Sequence, residues 1–176
     1  SLVVLVLALG YIAFDKFVPG PVEDEQLGQS ARQEGHTAAQ AEFHDDKSIA
    51  VLPFVNMSDD AGNEYFSDGL SEELLNLLAR IPELKVAART SSFSFKDKDL
   101  EVTEIASRLK VAHVLEGSVR KQGNQLRITA QLIQADNGYH LWSETYDRQL
   151  DNVFQIQEEI AIAVVDALRI TLLGEV

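Results

Sequence analysis

Residues 48–89 read SIAVLPFVNMSDDAGNEYFSDGLSEELLNLLARIPELKVAAR. The run from Ile49 to Phe54 is almost continuously apolar, which is typical of a strand covered on both faces. Leucines and isoleucines then recur at helical spacing from Leu70 to Ile81, and Pro82 ends that pattern. A second apolar segment, Leu84 to Ala88, follows. Because parallel strands end at the same edge of an open sheet, this unit predicts a crevice where a ligand or partner binds.

The sequence after this unit predicts the rest of a mixed sheet. An apolar stripe indicates a helix over residues 101–110, and strand-like sequence follows from Val111 to Val119. Gly123-Asn124 and Asn137-Gly138 separate the next strand patterns, and such pairs predict tight hairpins. Between them, apolar and polar residues alternate from Leu126 to Leu132, so one face of the sheet is expected in the core and the other in water.

A closing helix is predicted after Asp151, which we interpret as its N-cap. Its apolar residues recur at helical spacing from Val153 to Leu168 and form one face. The expected fold is therefore of the α/β (α+β) class, a mixed sheet of about five strands with three helices packed mainly on one side.

The amino terminus is predicted to enter a membrane. Leu2 to Phe14 is apolar apart from Gly10 and Tyr11. A spanning helix needs about 20 residues, so residues 1–19 are interpreted as the end of a transmembrane helix, a remnant that precedes the fold. A signal-peptide core and a buried helix are the alternatives. Residues 20–47 carry seven acidic and two basic side chains and predict an acidic linker, which leaves residues 48–171 as the folded domain.

Three segments together carry a family resemblance: SIAVLPFVNMSDDAGNEYFSDGLSEELL, VAARTSSFSFKDK and VAHVLEGSVRKQGNQLRITAQLIQADNGYHLWSETYDR. In this order, over residues 48–167, they resemble the TolB amino-terminal-like domain. The resemblance implies a periplasmic setting in the bacterial envelope and no enzymatic activity. It also implies tetratricopeptide repeats downstream and, by analogy alone, a winged-helix DNA-binding or nucleotide cyclase domain upstream.

Composition narrows the function further. The net charge of −13 and scattered basic residues disfavour direct nucleic-acid binding, and the absence of cysteine excludes a thiol nucleophile or cysteine-ligated metal. The four histidines are not spaced as metal ligands, and no glycine-rich phosphate loop occurs. We therefore expect no catalytic residue, no metal and no cofactor.

Two groups of side chains are candidates for recognition. The first lies on the two loops of the predicted crevice: Asn56, Ser58, Asp59, Glu64, Tyr65, Asp68, Arg89, Ser91 and Ser92. These residues either recognise a ligand or only order the loops, with Arg89 pairing a carboxylate. The second group, Tyr139, Trp142 and Tyr146, either packs against the closing helix or forms a partner surface.

The sequence thus predicts a non-enzymatic recognition or assembly domain of a single-pass bacterial inner-membrane protein, with the domain in the periplasm. It is expected to serve signal transduction or transcription regulation and to bind a protein, either in the envelope or in its own repeat domain. The alternative is a small-molecule sensor that binds a metabolite in the crevice.

Overall fold

The computed structural model describes residues 46–174. These residues form one sheet with four helices and a short 3-10 turn, Ala61–Asn63. The strands are β1 (Ser48–Val51), β2 (Val55–Asn56), β3 (Lys85–Val86), β4 (His113–Gln122), β5 (Gln125–Gln134) and β6 (His140–Gln149). The helices are α1 (Glu64–Leu78), α2 (Arg89–Phe93), α3 (Val102–Leu109) and α4 (Val153–Leu173).

The sheet is mixed, as predicted, with the strand order β3-β1-β4-β5-β6. Strand β1 runs parallel to both β3 and β4, and β2 pairs in parallel with β4 further along. Strands β4, β5 and β6 form an antiparallel meander. The structure has one strand and one helix more than the predicted five strands and three helices. The additional elements are β2, which has two residues, and α2, which has five, and neither carries a periodic apolar pattern.

The main core lies between one face of the sheet and helices α1 and α4. It contains Leu70, Leu74 and Leu78 of α1 with Ile160, Val164 and Leu168 of α4, all fully buried. Alternation along β5 places Leu126, Ile128, Ala130 and Leu132 in this core, as predicted. A smaller apolar cluster under α3 covers Ala50 and Val114 on the opposite face. The meander beyond α3 keeps that second face largely polar.

Between β1 and β2 the chain makes a kink at Leu52-Pro53-Phe54. Val51 pairs with Leu115 and Val55 with Ser118, so three residues lie opposite Glu116 and Gly117 and the kink is a one-residue bulge. Pro53 has no N–H to donate. The Phe54 N–H leaves the ladder and donates to Ser71 Oγ of α1 over 2.8 Å. This hydrogen bond joins the kink to α1.

Three local predictions were wrong. The N-cap of α4 is Asn152, whose Oδ1 accepts from the Phe154 and Gln155 amides, rather than Asp151. Asn137-Gly138 sits in a five-residue connection between β5 and β6, with positive φ at Gly138 only, rather than in a tight two-residue turn. The segment at Arg89 is the short helix α2 rather than a loop.

The predicted membrane segment and most of the linker lie outside the described residues. Among residues 46–174, no helix is both long and apolar enough to cross a bilayer.

The kink yields a first prediction at Gly117. A Cβ there would collide with the Thr129 carbonyl oxygen and with the Phe54 ring, and backbone and a packed ring have little freedom to move. Gly117→Ala should therefore lower the free energy of unfolding by about 1–3 kcal/mol, as overpacking does. Denaturant unfolding measures it. Ser118→Ala is the control, because its half-buried side chain points to the other face; an equal loss in both variants would refute the close packing.

Candidate functional site

The first predicted loop holds its polar side chains in place through its own contacts. Asn56 Nδ2 donates to the Asp60 carbonyl oxygen, and Asn56 Oδ1 accepts from the Ser58 amide, both over 3.0 Å. Ser58 Oγ accepts from the Lys121 amide over 2.8 Å. Asn56 and Ser58 therefore shape the loop, while the Asp59 side chain projects from it and is exposed.

The other charged candidates form a row of ion pairs along α1. Glu64, Asp68 and Glu72 follow one another at intervals of four, which places their carboxylates on one stripe of the helix. Lys96 Nζ bridges Glu64 (2.5 Å) and Asp68 (2.7 Å). Arg89 contacts Glu72 over 3.3 Å and stacks on the Phe93 ring. This row fastens the segment from Arg89 to Lys96 onto the helix.

Burial alone would lower the pKa of Lys96, but the carboxylates of Asp68 and Glu64 outweigh it and raise that pKa. The Lys96 ammonium is therefore held as a cation. The remaining candidates are dispersed: Tyr65 is exposed, and Ser91 accepts from the Ser94 hydroxyl through its carbonyl oxygen. Ser92 is buried, and its hydroxyl has no partner among the described residues.

The strand that follows the kink separates the two predicted loops along the sheet. Because the chain continues along β4 as β2, the first loop leaves the sheet level with Val119. Helix α2 instead starts just beyond the level of His113, where β3 and β1 pair. Arg89 pairs with Glu72 of α1, among the residues that the structure describes, and not with the loop carboxylates. The predicted site is thus divided into a loop and an ion-pair row.

A pocket of about 440 Å³ opens behind the kink, on the second face of the sheet. Its walls are apolar side chains of the kink, of the segment before α3 and of α3: Leu52, Pro53, Val55, Phe95, Leu100 and Ile105. Its floor is polar and comes from β4 and β5: Glu116, Ser118, Thr129 and Gln131. We call it the Glu116 pocket. Sequence reasoning missed it, although a glutamate inside the apolar pattern of β4 is a usable signal.

Glu116 is the chemically distinctive group of this pocket. Burial raises the pKa of its carboxyl, and the nearby charge of His140 opposes that shift. Within the described part of the chain, no hydrogen-bond donor or cation pairs with this carboxylate. An unpaired, partly desolvated carboxylate is costly to keep ionised. The Glu116 pocket therefore favours a ligand that supplies a positive charge or a hydrogen-bond donor next to an apolar body.

The structure also corrects the description of the basic residues as scattered. Arg120, Lys121, Arg127 and Arg148 meet at the far end of the meander, around a depression of about 610 Å³. Their charge is partly neutralised: Arg127 makes a two-pronged ion pair with Asp147 (2.7 and 2.8 Å), which lowers the pKa of Asp147. Asp59 lines the same depression. These carboxylates argue against an anion site.

The aromatic group divides between core and surface. Tyr146 is buried in the main core and Trp142 packs against its edge, whereas Tyr139 is exposed. Burial, together with the hydrogen bond from its hydroxyl to Glu144 Oε2 (3.1 Å), raises the pKa of Tyr146. Packing therefore accounts for Trp142 and Tyr146.

Comparisons with known proteins give a family. Residues 45–163 match the family described as HilA/YgeH-like transcriptional regulator, second domain. A Rhizobium meliloti protein named "Putative adenylate cyclase 3" is 46% identical over 125 residues. The match covers 71% of this chain but 21% of that protein, so the chain spans about a fifth of the length of this relative.

Solved structures share the fold at low sequence identity. Lipoprotein GNA1162 from Neisseria meningitidis has a TM-score of 0.50 and 18% identity, and covers 69% of this chain and 96% of its own. The LpoB C-terminal domain from Salmonella enterica gives 0.49 and 17%, covering 59% and 83%. TolB from Acinetobacter baumannii gives 0.45 and 17%, covering 69% and 28%. The fold is shared at this coarse level with GNA1162, whereas the TolB assignment and the tetratricopeptide repeats stay predictions.

The ion-pair row yields a second prediction. Lys96→Met leaves Glu64 and Asp68 as unneutralised like charges one turn apart, so it should lower the free energy of unfolding by about 1 kcal/mol. The Lys96 side chain is 27% exposed, whereas Arg108, which pairs with Glu104, is 55% exposed. Arg108→Met is the matched control and should cost about 0.3 kcal/mol. Equal losses on denaturant unfolding would contradict a structural role for the row.

Proposed function

The chain belongs to the family of the second domain of HilA/YgeH-like transcriptional regulators, and we propose that it is the non-enzymatic recognition domain of a regulatory or signalling protein. A relative named as an adenylate cyclase supports a general input module, because the same kind of domain then accompanies different outputs. The observation that carries the proposal is the Glu116 pocket, a cavity with apolar walls, a half-buried and unpaired Glu116 carboxylate and a second carboxylate, Asp97, on its rim.

We further propose that the whole protein is a single-pass inner-membrane protein whose folded domain lies in the periplasm. The apolar run of residues 1–19 supports the anchor, and the acidic residues of 20–47 support a solvated spacer between the anchor and the domain. The fold shared with a lipoprotein is consistent with this setting. The folded domain would then be residues 48–171.

For the ligand we propose a small organic amine, which corresponds to the sensor alternative. A protonated amine placed beside Glu116 supplies the missing counter-charge, and the apolar walls cover its carbon skeleton. The lysines of the rim do not cancel this preference, because Lys96 is neutralised by Glu64 and Asp68, and the exposed Lys98 is offset by Asp97 on the same rim. Ser118, Thr129 and Gln131 offer hydrogen-bonding groups that fix the orientation of the ligand.

The pocket chemistry predicts charge-dependent binding. Phenethylamine should bind the wild-type chain at neutral pH, and 2-phenylethanol, which keeps the apolar body but lacks the cation, should bind at least about tenfold more weakly. Glu116→Gln should abolish this difference between the two probes while leaving the pocket volume almost unchanged. Isothermal titration calorimetry measures both affinities. Glu83→Gln, which removes an exposed carboxylate outside the pocket, is the control and should bind like the wild type.

The affinity for the amine should also depend on pH. Because burial raises the folded-state pKa of Glu116, the carboxylate is neutralised as the pH falls through this raised pKa, and the affinity for the amine should fall with it. In Glu116→Gln the affinity should not vary over that range. Equal affinities for amine and alcohol in the wild-type chain would contradict the ligand class. Binding of neither probe would contradict the pocket as a site.

A further inference from the structure

Strand β6 is an edge strand of ten residues. It pairs with β5 on one side, and the strand order places it at the end of the sheet. Leu150, just after the strand, donates its N–H to Asn124 on the β5 side. Since backbone groups alternate along an antiparallel strand, the N–H and C=O of Ser143, Thr145 and Asp147 point away from β5. Among the described residues, no backbone group accepts or donates to them.

Apart from three charged side chains, Glu144, Asp147 and Arg148, the usual protections of an edge are missing from residues 142–149. This part contains no proline, no glycine and no lysine, and the one irregularity of the β5–β6 ladder precedes it, opposite Leu132 and Ile133. Natural edge strands of this length are normally covered, twisted or interrupted because they pair readily with other strands. An edge strand of this length, with outward backbone groups that no neighbouring strand pairs, therefore indicates a strand-addition surface.

We infer that β6 pairs antiparallel with β6 of a second copy of this chain, about a two-fold axis at Tyr146. Such an axis stands perpendicular to the sheet. Residues that lie opposite each other in the two strands therefore have their side chains on the same face of the sheet, and the residue on the axis lies opposite the same residue of the second copy. An axis at Glu144 or at Asp147 would place two like charges directly opposite each other, which is destabilising.

An axis at Tyr146 instead creates complementary contacts. Glu144 then lies opposite Arg148 of the second copy, and by symmetry this contact occurs on both sides of the axis. Thr145 lies opposite Asp147, and their outward backbone groups exchange hydrogen bonds. The two strands together form about eight backbone hydrogen bonds in this register. An axis at Thr145 would place Glu144 opposite Tyr146 and Arg148 opposite Trp142, and would leave the opposite charges unmatched. Charge thus selects one register.

Arg148 has only exposed contacts to exchange for the new one. In the single chain its Nε lies 3.9 Å from Glu159 Oε2, a long contact between two side chains that are 38% and 48% exposed. Its other contact is a hydrogen bond from Nη1 to the Asp147 carbonyl oxygen, on the same edge. An exposed pair at this distance contributes little. A cross-strand carboxylate opposite Arg148 is the stronger partner.

Charge reversal tests the register directly. Sedimentation equilibrium of the 176-residue chain in mild detergent should show a concentration-dependent dimer, and Glu144→Arg or Arg148→Glu should each weaken it by at least about tenfold. The double variant Glu144→Arg/Arg148→Glu restores opposite charges across the axis and should dimerise like the wild type. Glu158→Arg, the same charge change at an exposed position of α4, is the control and should have no effect.

A further variant distinguishes loss of the dimer from misfolding of the chain. Thr145→Pro removes an N–H that points away from β5, so circular dichroism should show a folded chain while the dimer is lost. A monomeric wild-type chain, or single reversals that dimerise as strongly as the wild type, would overturn the inference. So would a double variant that stays monomeric while folded. None of these outcomes bears on amine binding, because the Glu116 pocket contains no residue of β6.

Discussion

The hydrogen bond from the Phe54 amide to Ser71 Oγ holds the kink on which the rest of the architecture depends. The bulge leaves that amide outside the β4 ladder, and an unpaired buried N–H costs about 1–3 kcal/mol. Ser71 satisfies it and in turn donates to the Ser67 carbonyl oxygen over 2.8 Å. The kink is thereby coupled to α1, while the Phe54 ring fills the space that a side chain at position 117 would need.

The two faces of the kink have different consequences. On the α1 side it completes the main core around Phe54, which is 1% exposed. On the other side Leu52, Pro53 and Val55 rise above the sheet and form a wall of the Glu116 pocket. The strand β2 after the kink carries the first loop away from the start of α2, so Arg89 pairs with Glu72 rather than with the loop carboxylates. We propose ligand recognition at the Glu116 pocket and self-association at the edge strand β6.

Much of the fold was predictable because it follows from periodic apolar patterns. Helices α1, α3 and α4 and strands β1, β4 and β5 each carry such a pattern, and their order sets the mixed sheet. The candidate site was predicted less well, since it depends on contacts that leave no periodic pattern in the sequence. The kink at Pro53 and the two-residue strand β2 after it decide where the first loop leaves the sheet. The pairing of Arg89 with Glu72, and of Lys96 with Glu64 and Asp68, joins residues far apart in the sequence. The exposure of β6 follows from strand order, which local sequence does not encode.

The central claim is that Ser71 holds the kink by satisfying the Phe54 amide, and hydrogen exchange measures this at a single site. In the wild-type chain the Phe54 amide should exchange as slowly as those of Leu52 and Met57, which donate to β4 carbonyl oxygens. In Ser71→Ala the Phe54 amide should exchange at least about tenfold faster, while Leu52 and Met57 keep their protection. Equal protection of the Phe54 amide in both chains would contradict the account.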